Sequence, residues 1–239
     1  MRSVIKDDIR IQHNNRYNNR STDSLYRRRF RRYVGDDFLL RDDLNYVIAG
    51  GFLDTRTIGR QIKDVDIYTL DEETNRKIKA TLINNDWELT NNTWMKNGKK
   101  VQVLDGYTDP IDVLLSFDFT VCMKGWVPNT QTIYTHENWA RHIVTKQLVY
   151  NLNSKYPIKN IIHLTKYISY GFHIGPKDLM AILFKINKLD LQNQEVFKEH
   201  LMYYESQGLL DEYTTLFKQI NDQPIPREQI SLPLGELIQ

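Results

Sequence analysis

Two aspartates, Asp64 and Asp66, stand one residue apart in a stretch whose apolar neighbours predict a β-strand. Because successive side chains of a strand point to opposite faces, both carboxylates are expected on the same face. Gly50 and Gly51 precede them by the length of a turn and a helix, and glycine lets backbone N–H groups approach a phosphate closely. Mg²⁺ is usually held by carboxylates together with substrate phosphates. These residues therefore predict a site for a nucleoside triphosphate and its metal ion.

The segment from Val47 to Ile67 resembles the signature of DNA polymerase β-type nucleotidyltransferases, a glycine pair followed at a distance by Asp-x-Asp between apolar residues. It is most similar to the head domain of CCA-adding enzymes and bacterial poly(A) polymerases. Gly59-Arg60 and Lys63-Asp64-Val65-Asp66 match the motif of those enzymes without a gap. Asp54-Thr55 departs from the motif, because those enzymes usually carry Arg-Asp there and use it to contact the triphosphate.

A second block, Asp112 to Cys122, resembles the DLxRRDFTxN motif of the same enzymes. Asp118-Phe119-Thr120 is kept, whereas Ser116 and Phe117 replace the two arginines and Cys122 replaces the asparagine. These replacements leave the aspartate of the motif in place but remove two of its cations.

A third and weaker match is Lys166-Tyr167 followed by Gly171-Phe172-His173-Ile174, which is similar to the Arg-Phe…Gly-Phe-x-Ile pattern of the family. The resemblance covers roughly residues 45 to 178. The chain lacks the Glu-Asp-x-x-Arg element with which the family reads the incoming base, so a CCA-specific activity is not implied.

The resemblance implies a metal-dependent nucleotidyltransferase that moves a nucleoside monophosphate from a nucleoside triphosphate to an acceptor hydroxyl and releases pyrophosphate. The implied acceptor is an RNA 3′ end, and the implied cofactor is Mg²⁺ or Mn²⁺. The candidate nucleotide-binding residues are Gly50, Gly51, Arg56, Arg60 and Lys63. For each of the three cations among them, a solvated surface is the alternative.

The implied metal ligands and catalytic carboxylates are Asp64, Asp66 and Asp118. Asp118 lies between two phenylalanines, where a buried carboxylate is costly unless it is paired or bound to metal. It is therefore interpreted as a metal ligand, a sugar contact or the partner of a nearby cation. Asp105, at a strand end before Gly106, is the alternative third carboxylate, although capping a turn suits that position. The six histidines show no metal-binding spacing and are predicted to be structural or superficial.

The positive charge of the chain is concentrated near its N-terminus. Nucleic-acid-binding candidates are Arg27, Arg28, Arg29, Arg31 and Arg32. Clustered guanidinium groups match phosphate oxygens and predict a basic arm that contacts RNA or DNA. A solvated helix face or a mobile tail is the alternative.

Two other functions are compatible with these residues. One is transfer of the nucleotide to a protein or a small molecule, as in AMP-adding toxins, which predicts no affinity for nucleic acid. The other is a nucleotidyltransferase fold retained only for binding, as a non-catalytic subunit of a nucleic-acid complex. The intact pair of aspartates argues against this second alternative, because a pure binding module needs no metal ligands.

The composition, 41% apolar and 26% charged over 239 residues, is that of a soluble globular protein. The sequence contains no apolar run long enough for a membrane span and no secretory signal. Its single cysteine excludes an intramolecular disulfide, which predicts a reducing cytoplasm. The abundance of Asn, Ile and Lys hints at an AT-rich viral or phage genome.

The pattern predicts an α+β fold, with a small mixed sheet flanked by helices and followed by an all-helical C-terminal region. The predicted domains are a basic arm (1–35), a nucleotidyltransferase domain (36–135) and a helical domain (136–239). Strands are predicted at 46–49, 65–70, 87–90, 93–96, 100–104, 117–122 and 132–134. Helices are predicted at 23–34, 36–44, 52–59, 71–84, 110–115, 136–150, 159–170, 176–187, 192–206 and 211–219. Residues 1–22 are predicted to be disordered or loosely docked, and Asn97-Gly98 predicts a tight hairpin.

Overall fold

The structure, a computed structural model, describes residues 4–13, 22–35, 39–54, 61–191, 193–205 and 215. The chain divides into two compact units, Met1–Lys188 and Leu189–Gln239. The described part of the second unit contains helix α8 (Gln194–Glu205), which confirms the helix predicted there. The helix predicted at 211–219 lies outside the described residues, apart from Thr215. None of the described helices has the length and apolar character needed to span a bilayer.

The described residues of the first unit form ten strands and seven helices. The strands are β1 (Ile9–His13), β2 (Tyr46–Ala49), β3 (Val65–Thr69), β4 (Glu88–Thr90), β5 (Thr93–Lys96), β6 (Lys99–Leu104), β7 (Lys124–Val127), β8 (Thr132–His136), β9 (Gln147–Leu148) and β10 (His173–Ile174). The helices are α1 (Thr22–Val34), α2 (Gly51–Asp54), α3 (Glu72–Asn84), α4 (Pro110–Leu115), α5 (Trp139–Val144), α6 (Pro157–Ile168) and α7 (Pro176–Ile186).

The main sheet of the described chain has eight strands in the order β1-β8-β7-β2-β3-β6-β5-β4, and β9 and β10 form a separate parallel pair. Strand β3 lies inside the sheet, antiparallel to β2 and parallel to β6. The predicted α+β class is confirmed, although the sheet is larger than predicted and β9 and β10 lie within the region that was predicted to be all-helical. Residues 66–68 of β3 are therefore paired on both sides.

Local sequence signals explain several of these elements. The Asp71 carboxylate accepts a hydrogen bond from the Thr74 N–H at the start of α3, and Asp109 caps α4 in the same way ahead of Pro110. Asn97 and Gly98 adopt φ values of 50° and 74°, as a tight turn between β5 and β6 requires. The predicted hairpin is thus present.

The predicted strand at 117–122 and the predicted helix at 136–150 are wrong. Extended pairing in this segment is limited to one antiparallel bridge between Phe119 and Tyr150, and residues Thr120–Cys122 then form a short 3₁₀ turn. The strand that joins the sheet is β7, which the sequence reading missed. The helical stretch is limited to α5, since the chain then turns at Lys146, with φ at 56°, into β9.

The predicted N-terminal arm is also wrong for its described part. Strand β1 pairs with β8 along its whole length, and α1 buries Tyr26, Phe30 and Val34 in the core. The apolar face of α1 packs on Trp126 and Phe52, so the helix is part of the fold despite its arginines. A helix was predicted at 36–44. Residues 36–38 lie outside the described residues, and residues 42–43 form a turn. The three-domain division stays a prediction.

Gly125 on β7 occupies a position with no room for a side chain. A Cβ atom there would lie 2.8 Å from both Leu114 Cδ1 and Val47 Cγ1. We expect Gly125→Ala to lower the free energy of unfolding by roughly 1–3 kcal/mol, as overpacking of a core does. Urea denaturation checks this, with Gly175→Ala as the control, because a Cβ there would make only an ordinary 3.6 Å contact. Equal stabilities of the two variants would contradict the packing argument.

His142 on α5 predicts a pH-dependent stability. Its side chain is buried and its Nδ1 lies 2.7 Å from the Thr120 hydroxyl. Burial, then the charges of Arg141 and His136, lower the pKa of His142 to about 4. The unfolded state binds more protons between pH 4 and about 6.5, so this contribution is complete above pH 6.5 and is lost as the pH falls towards 4. We expect His142→Gln to flatten the change in the urea midpoint between pH 7 and pH 5; an unchanged slope would exclude His142 as its source.

Candidate active site

Asp64 and Asp66 lie at the beginning of β3, as predicted. Asp64 immediately precedes the strand and Asp66 is its second residue, paired with Ala49 of β2 and with Gln102 of β6. The intervening Val65 is fully buried on the other face of the sheet, so the two carboxylates share one face. Both aspartates are partly buried.

The two carboxylates are electrostatically coupled. Burial, followed by the charge of Asp64, raises the pKa of Asp66 to about 7, although the charges of Lys166 and Lys159 act in the opposite direction. Near neutral pH the fold therefore holds two acidic groups together at an electrostatic cost. A bound cation would relieve that repulsion, which is the behaviour of a metal-binding pair.

Gly50 brings the backbone against Asp66. It follows β2 with φ at +76°, a conformation that favours glycine, and a Cβ atom there would lie 3.2 Å from Asp66 Oδ2. Gly51 is exposed and begins α2, with nothing within 4 Å of a Cβ placed on it. The structure thus brings the predicted glycine pair and the aspartate pair together.

Replacing Gly50 by alanine should damage the site more than the fold. The left-handed backbone costs an alanine about 1–2 kcal/mol, and its Cβ would displace the Asp66 carboxylate. We expect the nucleotidyl transfer that the sequence predicts to fall by up to roughly a hundredfold, the effect of misplacing a reacting group by about 1 Å. Gly171→Ala is the matched control, since Gly171 has φ at +79° and nothing within 4 Å of a Cβ. Similar activity losses in both variants would point to general strain instead.

Helix α1 supports the entrance to β3. The Tyr33 hydroxyl donates to the Lys63 carbonyl at 2.9 Å and accepts from the Lys100 N–H at 3.1 Å. Burial raises the pKa of Tyr33, so the hydroxyl stays protonated. The hydroxyl thus links Lys63, the residue before Asp64, to Lys100 at the beginning of β6. The sequence reading missed Tyr33, since only the tertiary structure shows this bridge.

The arginine run of α1 divides into two groups. Arg27 donates to the Pro128 carbonyl, and Arg29 donates to the Leu53 carbonyl at 3.4 Å and lies over the Phe52 ring. These two partly buried side chains brace the fold. Arg28, Arg31 and Arg32 are exposed on the helix surface. Nucleic-acid binding by the run stays a prediction, now centred on the exposed three.

Asp118 is buried, as predicted, but its carboxylate already has several hydrogen-bond donors. His163 Nδ1 lies 2.6 Å from Oδ2, and the Phe119 N–H donates to Oδ1 at 3.0 Å. Burial alone would raise the pKa of Asp118, but the charge and hydrogen bond of His163 outweigh it and hold that pKa below its usual value. The sequence reading had considered a lysine or arginine as the partner; the partner is a histidine.

The described part of the chain does not gather three carboxylates into a metal cluster. Within the described ranges, no group of three or more His, Cys, Asp or Glu side chains could hold a metal ion. Asp105 is exposed and accepts a hydrogen bond from Asn75 Nδ2 at 3.4 Å, beside the turn at Gly106. The residue that stands next to Asp66 on β6 is Gln102, an amide. A metal role for Asp118 therefore has no support from this arrangement.

The remaining predicted nucleotide-binding residues are the three cations that follow the glycine turn. Lys63 is exposed and precedes Asp64. Arg56 and Arg60 lie outside the described residues. Helix α6 supplies further cations that the sequence reading did not assign to the nucleotide site, since the charges of Lys159 and Lys166 both act on Asp66. Their spacing places them on one side of a helix, and Lys166 also belongs to the third and weaker match with the family pattern.

Comparison with known proteins places the chain in a family. Residues 22–146 match the family described as "Gabija anti-defense 2 family protein". The chain belongs to this family. This chain is similar to a curated relative, "Gabija anti-defense 2" of Bacillus phage SPbetaL7. The two are 24% identical over 179 residues, which make up 71% of this chain and 44% of the relative. The chain thus spans less than half the length of that relative.

Solved structures of CCA-adding enzymes share the fold of this family member. The complex of a CCA-adding enzyme with CTP has a TM-score of 0.57 at 15% identity, covering 84% of this chain and 56% of the enzyme. An apo form has a TM-score of 0.55 at 13% identity, covering 84% and 55%. The Thermotoga maritima enzyme complexed with tRNA has a TM-score of 0.50 at 14% identity, covering 85% and 53%. The predicted similarity to CCA-adding enzymes is confirmed for the fold.

Proposed function

We propose that this family member is a metal-dependent nucleotidyltransferase that transfers a nucleoside monophosphate from a triphosphate to an acceptor hydroxyl. The observation that carries this proposal is the contact between the glycine turn and the pair of aspartates. Asp64 and Asp66 share one face of β3, and the left-handed Gly50 lies directly against the Asp66 carboxylate. The nucleotidyltransferase fold supports the same conclusion.

Asp64 and Asp66 fit a divalent cation such as Mg²⁺ or Mn²⁺. Mg²⁺ is commonly bound by one or two protein carboxylates, with water and substrate phosphates completing its coordination, so a two-carboxylate site is sufficient. When bound, the ion would lower the pKa of the acceptor hydroxyl and neutralise charge on the phosphates. Burial and the charge of Asp64 raise the pKa of Asp66, and a bound cation would offset both effects, which is the chemical reason that this pair would accept one.

The side chains and backbone of the family member then have distinct tasks. The turn at Gly50 and Gly51 presents backbone to the phosphates, and the Tyr33 hydroxyl holds the carbonyl next to Asp64 in place. No nucleophilic side chain is required, because positioning and charge stabilisation provide the rate enhancement of phosphoryl-type transfers.

The transfer would help a phage to overcome the Gabija defence of its host, as the family description suggests. We propose an RNA 3′ end as the acceptor, supported by the exposed arginines Arg28, Arg31 and Arg32 on α1. A hydroxyl on a host protein is the second candidate, favoured by the relative's description as an anti-defense protein.

Each of the four α-labelled nucleoside triphosphates, incubated with the full chain, Mg²⁺ or Mn²⁺, total RNA and lysate from Gabija-bearing cells, tests the proposal. Label on RNA 3′ ends is the expected result and would identify the nucleotide as well. Label on protein would establish the second acceptor. If no fraction is labelled while nucleotide or RNA is still bound, the chain acts as a binding module and the proposed activity is rejected.

A further inference from the structure

Helix α6 presents cations towards the candidate active site. Lys159, His163 and Lys166 follow one another at intervals of four and three residues and therefore lie on one side of the helix. The direction of that side is fixed by His163, whose Nδ1 lies 2.6 Å from Asp118 Oδ2. The two lysines lie one turn before and one turn after this contact.

Further contacts hold α6 in place. The Tyr167 hydroxyl lies 3.0 Å from Cys122 Sγ, in the 3₁₀ turn that follows Asp118. Asn160 donates to the hydroxyls of Ser154 and Tyr150 at 2.9 and 3.0 Å. These contacts, together with the contact between His163 and Asp118, fix the position of α6 and of the side on which the two lysines lie.

The charges of the two lysines act on the carboxylates of the candidate site. Burial lowers the pKa of Lys159, while the charges of Asp118 and Asp66 act in the opposite direction. Lys166 is exposed, and its charge also acts on Asp66. A nucleoside triphosphate brings several negative charges to a site that already contains acidic groups, so binding requires nearby cations to offset the repulsion.

We propose that Lys159 and Lys166 bind the polyphosphate of the incoming nucleoside triphosphate. This inference rests on the proposed function and names part of its substrate site. The lysine ammonium group is a compact phosphate ligand. His163 is the anchor that sets the position of both lysines and does not itself contact the nucleotide.

Binding of inorganic tripolyphosphate with Mg²⁺ to the full chain, measured by calorimetry, tests the lysines without any choice of base. We expect Lys159→Met and Lys166→Met each to weaken binding roughly ten- to hundredfold, the effect of losing a hydrogen bond to a charged group. Lys166→Arg should retain binding within a few-fold. Lys155→Met is the matched control, since Lys155 is exposed just before α6, and should bind as the wild type does.

A second measurement separates a direct phosphate contact from damage to the site. Removal of a lysine should leave Mn²⁺ binding, followed by electron paramagnetic resonance without polyphosphate, unchanged or stronger, because a competing positive charge has gone. A distorted site would weaken both ligands, and that result overturns the inference, as does wild-type tripolyphosphate affinity in the Lys166→Met variant. Should Lys159→Met fail to fold, the exposed Lys166 still decides. If the wild-type chain binds neither tripolyphosphate nor any nucleoside triphosphate, the proposed function falls first.

Discussion

Replacing Asp64 and Asp66 together by asparagine is expected to lower nucleotidyl transfer at least about a thousandfold, within the range lost when a main source of transition-state charge stabilisation is removed. Asparagine keeps the shape of each side chain but removes the charge that would hold a divalent cation. Rates of label transfer, measured at saturating Mg²⁺ and again at saturating Mn²⁺, check the effect. Mn²⁺ binding should be lost in parallel.

The same variant should be more stable than the wild type at alkaline pH. Burial and the charge of Asp64 raise the pKa of Asp66 to about 7, above its value in the unfolded chain. The folded state therefore binds more protons between about pH 4 and 7, and wild-type stability falls as the pH rises through that window. Asparagine does not titrate, so the double variant avoids this loss of stability. Its urea midpoint should therefore exceed that of the wild type at pH 8.

A gain in stability combined with a loss of activity is the signature of a functional pair and not of a structural one. Asp86→Asn serves as the control, because that side chain is 94% exposed and lies at the end of α3, away from β3. It should change neither quantity. Transfer that persists in the Asp64→Asn/Asp66→Asn double variant would refute the metal-pair assignment, whatever its stability.

The centre of the site could be predicted because its signals are local. A glycine with a left-handed backbone and an Asp-x-Asp strand each leave a mark in a few consecutive residues, and both Gly50 and Asp66 lie as the sequence predicts. The register between β2 and β3 then brings them into contact. The hairpin at Asn97-Gly98 is predictable for the same reason, since two residues determine the turn.

Elements determined by distant partners were not predictable. The arginines of α1 suggest a solvated arm, but the burial of Tyr26, Phe30 and Val34 decides where the helix lies. The number of charges on α1 can be counted in the sequence. That the apolar residues between the arginines pack on Trp126 and Phe52 is known only from the structure.

The role of Asp118 shows the same limit at the site itself. Flanking phenylalanines correctly indicate burial, but burial alone does not say which partner compensates the charge. The partner, His163, is 45 residues away and belongs to a helix that the resemblance covers only weakly. The role of the lysines on that helix could not be predicted either, because their spacing is common on any solvated helix.

Breaking the contact between Asp118 and His163 is expected to destabilise the protein strongly. The side chains are 7% and 23% exposed, and His163→Ala would leave the Asp118 carboxylate buried without its main partner. Loss of one member of a buried pair costs roughly 3 kcal/mol, measurable by urea denaturation at pH 7. Asp118→Asn/His163→Gln, which removes the charge from both sides, should recover much of this loss.

The control for that experiment is an ion pair on the surface. Arg10 and Glu137 are 4.0 Å apart with side chains 74% and 38% exposed, so Arg10→Gln should change stability by less than about 1 kcal/mol. Since His163 anchors α6, His163→Ala should also weaken tripolyphosphate binding, even under conditions where the variant is still folded. If that affinity is unchanged in the folded variant, the anchor and the position of the two lysines are independent, and the contact with Asp118 only stabilises the core.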